Sequence, residues 1–529
     1  MSDLNYFDAA DVASIRRDYP LGAAFLKRFQ GMSADELRHL QNQRFMRLMA
    51  FAWQVPFYQR HWGAAGLQAG DVKSLDDITR IPMYSKSDLM ASVEAHPPLG
   101  DFHGQDVHPV GQRPPIILQT TSGTTGMPQP LLFGPRSRET QNALLARVYL
   151  LQGMSAQDVV HSVYGFGMVN GGHYIRETLL HWVGAQMLSA GTGVETRSQQ
   201  QVMLMRDFKA TVLVGFGDFV KRLSDVAKEN GIEPGRDIRL RMITGHLGPE
   251  GREPMSQAWG GCDVYDWYGV GDTGLIAGES QDQTGMYIME DAQFLEITHT
   301  ETGAAVAPGE PGNMVNTCLF KDDIFPIIRF NTHDVTHEVV GSSPMGLPFR
   351  RIIGFKGRSD NMIKLRGINV YPTSVGVILG AGVAIGAAMA CNGSAIAMAV
   401  ASRPVSPALR STVLGIVSAA GSLGALMAAP IGQLLSQDYG WRVGVGGFVI
   451  MALVILPAAW YAGRVDALPV PPSPHGEKDN APDMAKFALK HPPFAVMTLA
   501  YFVCGMQLVF LTTHLPSYLD LCGMDPMLS

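Results

Sequence analysis

Apolar positions recur at helical spacing between residues 33 and 54, the pattern of an amphipathic helix with one buried face. Ser33 opens this segment, and Glu36 stands at the spacing of a capping box, which satisfies the first N–H groups of a helix. The apolar residues of the predicted face are Leu37, Leu40, Phe45, Leu48 and Phe51. The pattern therefore predicts a capped helix over residues 33–54.

Two short apolar runs, residues 116–118 and 131–133, enclose a segment rich in hydroxyl side chains and glycine. Glycine tolerates unusual backbone angles, so N–H groups and hydroxyls in such a segment can converge on an anion. The pattern predicts strand, phosphate-binding loop and strand, although the composition alone also fits a flexible linker. The Gly-Lys-Ser/Thr that ends the motif of P-loop nucleoside triphosphatases does not follow this segment. The segment therefore indicates a different way of binding a nucleotide.

Helical and short apolar segments alternate between residues 138 and 244, which predicts βα units and a largely parallel sheet. Polar loops are expected at residues 244–249 and 266–274, where predicted strands end and where ligands bind in open α/β sheets. An aromatic ring there can stack on a base, and a carboxylate can hold Mg²⁺ beside phosphates. Taken alone, each of these segments is more often an ordinary turn than a ligand site. His246 taken alone is likewise more often a turn residue than a catalytic base.

A β-rich subdomain is predicted over residues 287–340, because short apolar runs are separated there by Gly- and Pro-containing turns. The predicted strands are residues 287–289, 294–298, 313–319 and 327–330. Two polar segments, residues 331–334 and 357–372, follow or interrupt this pattern. The second mixes charge, glycine and apolar residues too closely for a simple solvent-exposed face.

The composition changes near residue 375. The chain has 529 residues and a net charge of −6, which gives no indication of a nucleic-acid partner. Its five cysteines form no CxxC pair, which argues against structural zinc and a disulfide framework. The first residues lack the basic and apolar pattern of a secretion signal, so the N-terminal part is expected in the cytoplasm. The sequence leaves the oligomeric state open.

Long stretches without formal charge follow this change, and each is long enough to cross a membrane as a helix. They are residues 376–402, 411–437, 443–463 and 492–513. Glycine and alanine are frequent in them, which suits close helix packing in lipid. The sequence therefore predicts an α/β part followed by all-α transmembrane helices.

The ordered motifs of residues 30–375 resemble the adenylate-forming superfamily, in its phenylacetate–CoA ligase-like branch. The resemblance rests on the helical lead-in with Pro56-Phe57-Tyr58 and Leu75-Asp76-Asp77, the segment Thr121–Gly126, the Tyr268-Gly269 loop, Thr332-His333-Asp334, and Gly357-Arg358 through Pro372. It implies an α/β adenylate-forming domain with a β-rich subdomain. It also implies ATP-dependent activation of an aromatic or acyl carboxylic acid to an acyl-adenylate, and transfer to coenzyme A.

The resemblance assigns roles to individual residues. It implies that the ATP phosphates are held by Thr121, Ser122, Gly123, Thr124, Thr125 and Gly126. The nucleoside is assigned to Gly245, His246, Leu247, Tyr268, Gly269, Asp334 and Arg358, and the acid to a pocket of Tyr164, Gly165, Phe166 and Gly167. Asp272 is the expected Mg²⁺ ligand and catalytic carboxylate, and Asp360 is the expected hinge. Asp272 stands where the family usually has the longer Glu, and Gln129 stands where Lys or Thr is common.

The region after Pro372 resembles a different family, the middle of a major facilitator superfamily transporter from about its fourth to its seventh span. The expected organisation is a helical lead-in (1–110), a core with β-rich subdomain (111–340), a hinge region without the family's lid domain (341–375), three transmembrane helices (376–463), a polar loop (464–491) and a fourth transmembrane helix (492–518). The sequence thus predicts a chimera: a ligase impaired by loss of its lid, with a cytoplasmic adenylation domain and a membrane region. A transporter fragment, or a product with neither activity, is the alternative.

Overall fold

The computed structural model describes residues 3–121, 128–248, 251–360, 363–365, 368–370, 394–406 and 408–439, with residues 453, 457, 460, 461 and 464. The chain forms two compact units, Met1–Gly376 and Val377–Ser529.

The first unit begins with six helices, and the first three of them pack against the central helix of the unit, Pro135–Leu151. They are α1 (Tyr6–Ala10), α2 (Val12–Asp18), α3 (Gly22–Phe29), α4 (Ala34–Ala52), α5 (Pro56–Ala64) and α6 (Lys86–Ala95), with 3₁₀ turns at Leu75–Arg80 and Gln105–Val107. The capping box of α4 is present, since the N–H of Glu36 donates to Ser33 Oγ and the N–H of Ser33 donates to Glu36 Oε2. The helix predicted over residues 33–54 is confirmed.

A two-stranded hairpin of β1 (Ile117–Thr120) and β2 (Pro130–Phe133) follows, with Thr120 opposite Pro130. The predicted strand–loop–strand order is therefore confirmed, while Ser122–Gly126 lie outside the described residues. The central helix α7 (Pro135–Leu151) begins directly after β2, with Pro135 in its first turn. Helix α7 is buried along almost its whole length, so its polar side chains require internal partners.

The large sheet has nine strands in the order β13-β14-β9-β8-β7-β6-β5-β3-β4. The strands are β3 (Val159–Ser162), β4 (Gln186–Ser189), β5 (Val212–Phe216), β6 (Met242–His246), β7 (Asp263–Val270), β8 (Gly274–Glu279), β9 (Met286–Ile288), β13 (Glu338–Val339) and β14 (Arg351–Ile352). Strands β4, β3, β5, β6 and β7 are parallel, as predicted, whereas β7 to β13 pair antiparallel.

Helices cover both faces of the parallel half, and the side chains of β5 show how. Val212 and Val214 face the cluster built on α7, while Leu213 faces a second cluster. Because successive strand residues point to opposite faces, a continuous apolar strand serves both cores. The remaining helices of this unit are α8 (Asn170–Glu177) with the π-turn Thr178–Val183, α9 (Ser198–Asp207), α10 (Gly217–Glu229) and α11 (Arg252–Ala258).

The β-rich subdomain is a four-stranded antiparallel sheet in the order β10-β11-β12-β15. Its strands are β10 (Gln293–Thr298), β11 (Gly312–Cys318), β12 (Phe330–Thr336) and β15 (Gly357–Arg358); a separate hairpin joins β16 (Ile363–Leu365) and β17 (Ile368–Val370). The bounds of the strand predicted at residues 327–330 are wrong. The backbone is left-handed at Phe325 (φ 49°) and at Arg329 (φ 56°), so the strand starts at Phe330 and contains residues 331–334.

The second unit contains the helices Ser394–Ser402 and Arg410–Tyr439. The helical conformation predicted for residues 411–437 is confirmed. Over the described part of the chain, however, no helix combines the length and the hydropathy that a membrane crossing requires. Glycine, serine and threonine occur among the apolar residues of the longer helix. The segments 443–463 and 492–513, and most of 376–402, lie outside the described residues apart from single positions.

Candidate functional site

Three side chains from three strands meet at the junction of the two sheets. The Tyr268 hydroxyl on β7 donates to Asp334 Oδ2 at 2.8 Å, and Arg358 Nη1 on β15 donates to Asp334 Oδ1 at 2.7 Å. Asp334 is opposite Arg358 in the β12–β15 pair, so strand register sets this contact. Arg358 also bonds both carboxylate oxygens of Asp360, at 2.9 and 2.6 Å. The structure thus brings together residues from three separate parts of the sequence, at Tyr268, at Asp334 and at Arg358 with Asp360.

The predicted loop at residues 266–274 is mostly strand, which corrects the sequence interpretation. Strand β7 continues to Val270, and its register with β8 shifts between Tyr268 and Gly269. A Cβ added at Gly269 would lie 2.4 Å from the Gly274 carbonyl oxygen, so the two backbones approach too closely for a larger residue. This irregularity lies beside Tyr268, as β-bulges commonly do at functional sites.

Aromatic rings collect at the carboxyl ends of β3, β5, β6 and β7. The His246 ring lies 5.3 Å from Phe216 in a stacked arrangement and 4.3 Å from Trp267, centroid to centroid. The Tyr164 hydroxyl is 2.6 Å from His246 Nδ1, and its ring lies 4.7 Å from Phe216. These four side chains, which we call the aromatic cluster, form one continuous wall. His246 ends β6 instead of lying in a turn.

Gly245 makes this wall possible. It lies opposite Gly215 in the β5–β6 pair, and a Cβ at Gly245 would lie 1.9 Å from the Gly215 carbonyl oxygen. Leu247 follows the strand and is buried. Burial, together with the nearby Glu279 charge, raises the pKa of Asp266 to about 7. The neighbourhood of the predicted nucleoside residues therefore contains a carboxyl group that titrates near neutrality.

The segment Tyr164–Gly167, predicted to line the acid pocket, is anchored by neighbouring polar groups. The N–H of Phe166 donates to Glu195 Oε1 at 2.9 Å. The N–H of Gly172 donates to the Gly165 carbonyl at 2.9 Å, and His173 Nε2 lies 2.8 Å from the Gly167 carbonyl. Tyr164 belongs to the aromatic cluster, whereas the Phe166 ring packs edge-on against His173. Tyr164 and Phe166 therefore pack against different aromatic neighbours, Tyr164 in the aromatic cluster and Phe166 on His173.

Asp272 lies in the turn between β7 and β8 and is buried. Gln129 Nε2 donates to its Oδ1 at 2.7 Å. Burial raises the pKa of the Asp272 carboxyl to about 6, against the opposing charges of Lys321 and Lys86. The group is therefore mostly ionised at neutral pH. A single carboxylate suits Mg²⁺, which takes one or two protein oxygens and completes its shell with phosphates and water.

Asp272 does not belong to a larger cluster of metal-binding side chains in the part of the chain that the structure describes. Within the described residues, no group of three or more His, Cys, Asp and Glu side chains has the arrangement of a metal site. If Mg²⁺ is bound here, Asp272 would hold it together with the nucleotide, and the ion would supply charge neutralisation to the phosphates. The site residues fit this arrangement and do not form a self-sufficient metal cage.

Lys321 is a site residue that the sequence interpretation missed. Its Nζ donates to the carbonyls of Leu132 (3.1 Å) and Asp272 (3.3 Å) and lies 4.8 Å from the centroid of the Phe133 ring. Burial lowers its pKa to about 8. The available signal was a lysine that follows the buried apolar residues Leu319 and Phe320 and precedes Asp322 and Asp323. Phe216, Trp267 and Gln129 were also missed as site members.

An open cavity of about 630 Å³ lies at a different place, next to Ile81 and Gly303. Its charged lining residues, Arg329 and Glu296, bond each other through two contacts of 3.0 and 2.8 Å. Because Arg329 and Glu296 neutralise each other, this cavity offers a ligand no unpaired charge from these two residues. The candidate functional site is therefore placed at the strand ends.

Known proteins resemble the first unit over most of its length. The chain is 30% identical to the phenylacetate-coenzyme A ligase of Aromatoleum evansii over 364 residues, covering 66% of this chain and 77% of the relative. It is also 30% identical to the phenylacetate-coenzyme A ligase of Pseudomonas putida over 366 residues, with the same coverage. A crystal structure of 2-hydroxyisobutyryl-CoA ligase in complex with 2-HIB-AMP and CoA has a TM-score of 0.59 at 26% identity, covering 67% of this chain and 74% of that one.

The C-terminal part of the chain resembles a different protein family. Residues 367–529 match the family model described as Major Facilitator Superfamily. That match covers less of the chain than the ligase similarity. The shared length and identity with the curated ligases establish that this chain belongs to the phenylacetate-coenzyme A ligase family.

Proposed function

We propose that this protein activates a carboxylic acid with ATP, forming an acyl-adenylate and pyrophosphate, and passes the acyl group to coenzyme A. The carboxylate oxygen attacks the α-phosphorus, and the bond from that phosphorus to pyrophosphate breaks. The thiol sulfur of coenzyme A then attacks the carbonyl carbon, and AMP leaves. The observation that carries this proposal is the meeting of Tyr268, Asp334 and Arg358 beside the strand ends, in a chain of this family.

The chain's own groups suit these tasks. Asp334 offers carboxylate oxygens to ribose hydroxyls, and the guanidinium of Arg358 holds that carboxylate in its orientation. Thr121 marks the base of the expected phosphate loop, where its N–H donates to the Gln129 carbonyl at 3.1 Å. We assign Mg²⁺ to Asp272.

We assign the acid to the aromatic cluster, so that His246, which the resemblance assigns to the nucleoside, belongs to the acid pocket in this proposal. Flat rings on adjacent strand ends favour a planar aromatic acid, because offset stacking adds to the burial of apolar area. Tyr164 and His246 add a polar group to the same wall. Small acyl acids are the competing substrate class, and a panel of both classes separates them.

ATP–pyrophosphate exchange by the purified full chain, with a panel of aryl and acyl acids, tests the proposal. Exchange that depends on an aryl acid supports it. The double variant Thr124→Ala/Thr125→Ala should lose exchange, whereas the control Thr302→Ala, in a distant turn, should not. Equal exchange in both variants would remove the phosphate-loop assignment.

A second proposal concerns the C-terminal unit, and the family match over residues 367–529 favours it. We propose that this region associates with membranes as a transporter fragment while the ligase unit faces the cytoplasm. Flotation of the full chain with vesicles tests this proposal. Recovery of the protein only in the soluble fraction would contradict it.

A further inference from the structure

Gln129 connects the expected phosphate loop to the turn that carries Asp272. Its side chain is 1% exposed, and its Nε2 donates to Asp272 Oδ1 at 2.7 Å. Its backbone is tied to Thr121, since the N–H of Gln129 donates to Thr121 Oγ1 at 3.3 Å and its carbonyl accepts from the N–H of Thr121 at 3.1 Å. Gln129 thus closes the base of the loop through its backbone and contacts the carboxylate of Asp272 through its side chain.

The backbone of Asp272 is held separately. Its carbonyl accepts from Lys321 Nζ at 3.3 Å and from Gln141 Nε2 at 3.4 Å. Lys321 also binds the Leu132 carbonyl on β2, so the hairpin and the turn form one unit. With the backbone held in this way, the contact with Gln129 decides where the short Asp272 side chain points.

An amide is well suited to that position. It donates to one carboxylate oxygen without adding positive charge, so it leaves the negative charge of Asp272 available to a cation. A lysine would form an ion pair there and compete with that cation. The shorter reach of Asp, compared with Glu, makes an orienting partner more important because fewer side-chain rotamers bring its oxygens to a given point.

We propose that Gln129 is a positioning residue that holds Asp272 through Oδ1 and thereby presents Oδ2 to a divalent cation bound with the nucleotide. This inference rests on the proposed function. It predicts that Gln129 governs the Mg²⁺ dependence of nucleotide binding and contributes little to nucleotide binding without metal.

The test uses the full chain and the volume-conserving variant Gln129→Met, which removes the donor. Calorimetric ATP affinity is measured in EDTA and across a Mg²⁺ series, and the Mn²⁺ EPR spectrum is recorded with ATP bound. The Mg²⁺ concentration for half-maximal enhancement should rise about tenfold, as expected for loss of one hydrogen bond to a charged group. The EPR spectrum should change, and affinity in EDTA should not.

Gln41→Met is the matched control, because Gln41 is also buried and donates to the Glu290 carbonyl at 2.9 Å away from the site. It should leave the Mg²⁺ dependence unchanged. If Gln129→Met melts early, Gln129→Asn, which keeps the amide but shortens its reach, replaces it. Identical Mg²⁺ dependence in wild type and the Gln129 variants would overturn the inference and leave the proposed function standing. Absence of ATP binding in wild type would overturn both.

Discussion

Tyr268 and Asp334 join the two sheets of the ligase unit through a hydrogen bond of 2.8 Å from the phenol to the carboxylate. Both groups are buried, and Arg358 donates to the other carboxylate oxygen. Each oxygen of an ionised carboxylate has a second lone pair, so Asp334 can accept further bonds from a ligand while it holds the sheets together. The residue assigned to the ribose is thus also structural.

We expect Asp334→Asn to weaken ATP binding by about tenfold or more, because it removes a charged acceptor worth about 1.5–3 kcal/mol. Calorimetry on the full chain measures the loss. Asp282→Asn is the matched control, since Asp282 accepts from the Tyr287 hydroxyl at 2.7 Å in a comparable pair. An equal loss of affinity in the control would show that the effect comes from general destabilisation.

The sequence predicted several residues that the structure brings together, but not the contacts between them. Tyr268, Asp334 and Arg358 were identified from motifs, because short motifs keep their residue types. Their contact depends on the pairing of β12 with β15, which no local pattern reveals. Gln129 and Lys321 were missed for the same reason: each acts on Asp272 from a distant part of the chain.

The Tyr164 hydroxyl should control binding of the acid more than the turnover rate. Tyr164→Phe removes the 2.6 Å contact with His246 Nδ1 and leaves the ring in place. We expect KM for the acid to rise several-fold, up to about tenfold for one hydrogen bond of about 1 kcal/mol, with a smaller change in kcat. Exchange kinetics on the full chain measure both constants.

Tyr174→Phe provides the control for that substitution. The Tyr174 hydroxyl donates to the Gln141 carbonyl at 2.9 Å, inside the core. Its loss should lower the melting temperature without a selective rise in KM. A rise in KM that is the same in both variants would contradict the role assigned to Tyr164.

Helix α7 carries a buried ion pair that should dominate the stability of the N-terminal helices. Arg147 and Asp291 are both fully buried and share two bonds, at 2.7 and 3.2 Å, while the guanidinium lies 4.3 Å from the Phe25 ring centroid. Arg147→Met should cost up to about 3–5 kcal/mol, because the buried Asp291 loses both of these bonds and keeps only a longer ion pair, to Arg44 at 3.6 Å. Arg222→Met, which breaks an exposed pair with Glu229, should cost less than about 1 kcal/mol. Urea unfolding measures both, and equal losses would contradict this argument.

The fold was easier to predict where local pattern and tertiary structure agree. The α4 helix has its cap, period and burial in the same residues, so its bounds were close. The strand predicted at residues 327–330 was wrong, because the backbone is left-handed at Phe325 and Arg329, where local propensity favours a strand. There, Arg329 Nη1 binds the Ile81 carbonyl at 2.6 Å, a contact between distant segments that overrides the local preference.

Asp266 should make the ligase unit less stable as the pH rises. Its folded-state pKa of about 7 is above the ordinary 3.8, so between these values the folded state holds a proton that the unfolded state has lost. Stability should therefore fall across this range, by up to about 4 kcal/mol at about 1.4 kcal/mol per pKa unit. Thermal unfolding at pH 5 and pH 8 measures it.

Asp266→Asn should flatten this dependence, because the amide does not titrate. Asp263→Asn provides the control, since Asp263 begins the same strand and is exposed. It should keep the wild-type slope. A wild-type slope in Asp266→Asn as well would assign the pH dependence to other groups.

The last prediction separates the two halves of the reaction. The residues assigned to ATP and to the acid all precede residue 361, whereas residues 367–529 match a family of a different kind. The resemblance implies that related ligases carry a lid after Pro372, whose lysine neutralises the charge that develops between the carboxylate and the α-phosphate and whose movement then lets the thiol of coenzyme A attack. We therefore expect the full chain to form the acyl-adenylate about 10²–10³ times more slowly than an intact ligase, the usual loss for one missing preorganised charge, and to form the thioester more slowly still, because the lid also shapes the thiol channel. Hydroxylamine traps the adenylate as a hydroxamate without enzyme assistance, so it reports the first half alone. Mass spectrometry of hydroxamate and thioester in parallel reactions then gives the ratio of the two halves. Thioester formation as fast as hydroxamate formation would show that residues after 372 supply the missing chemistry, and the C-terminal unit would need a different assignment.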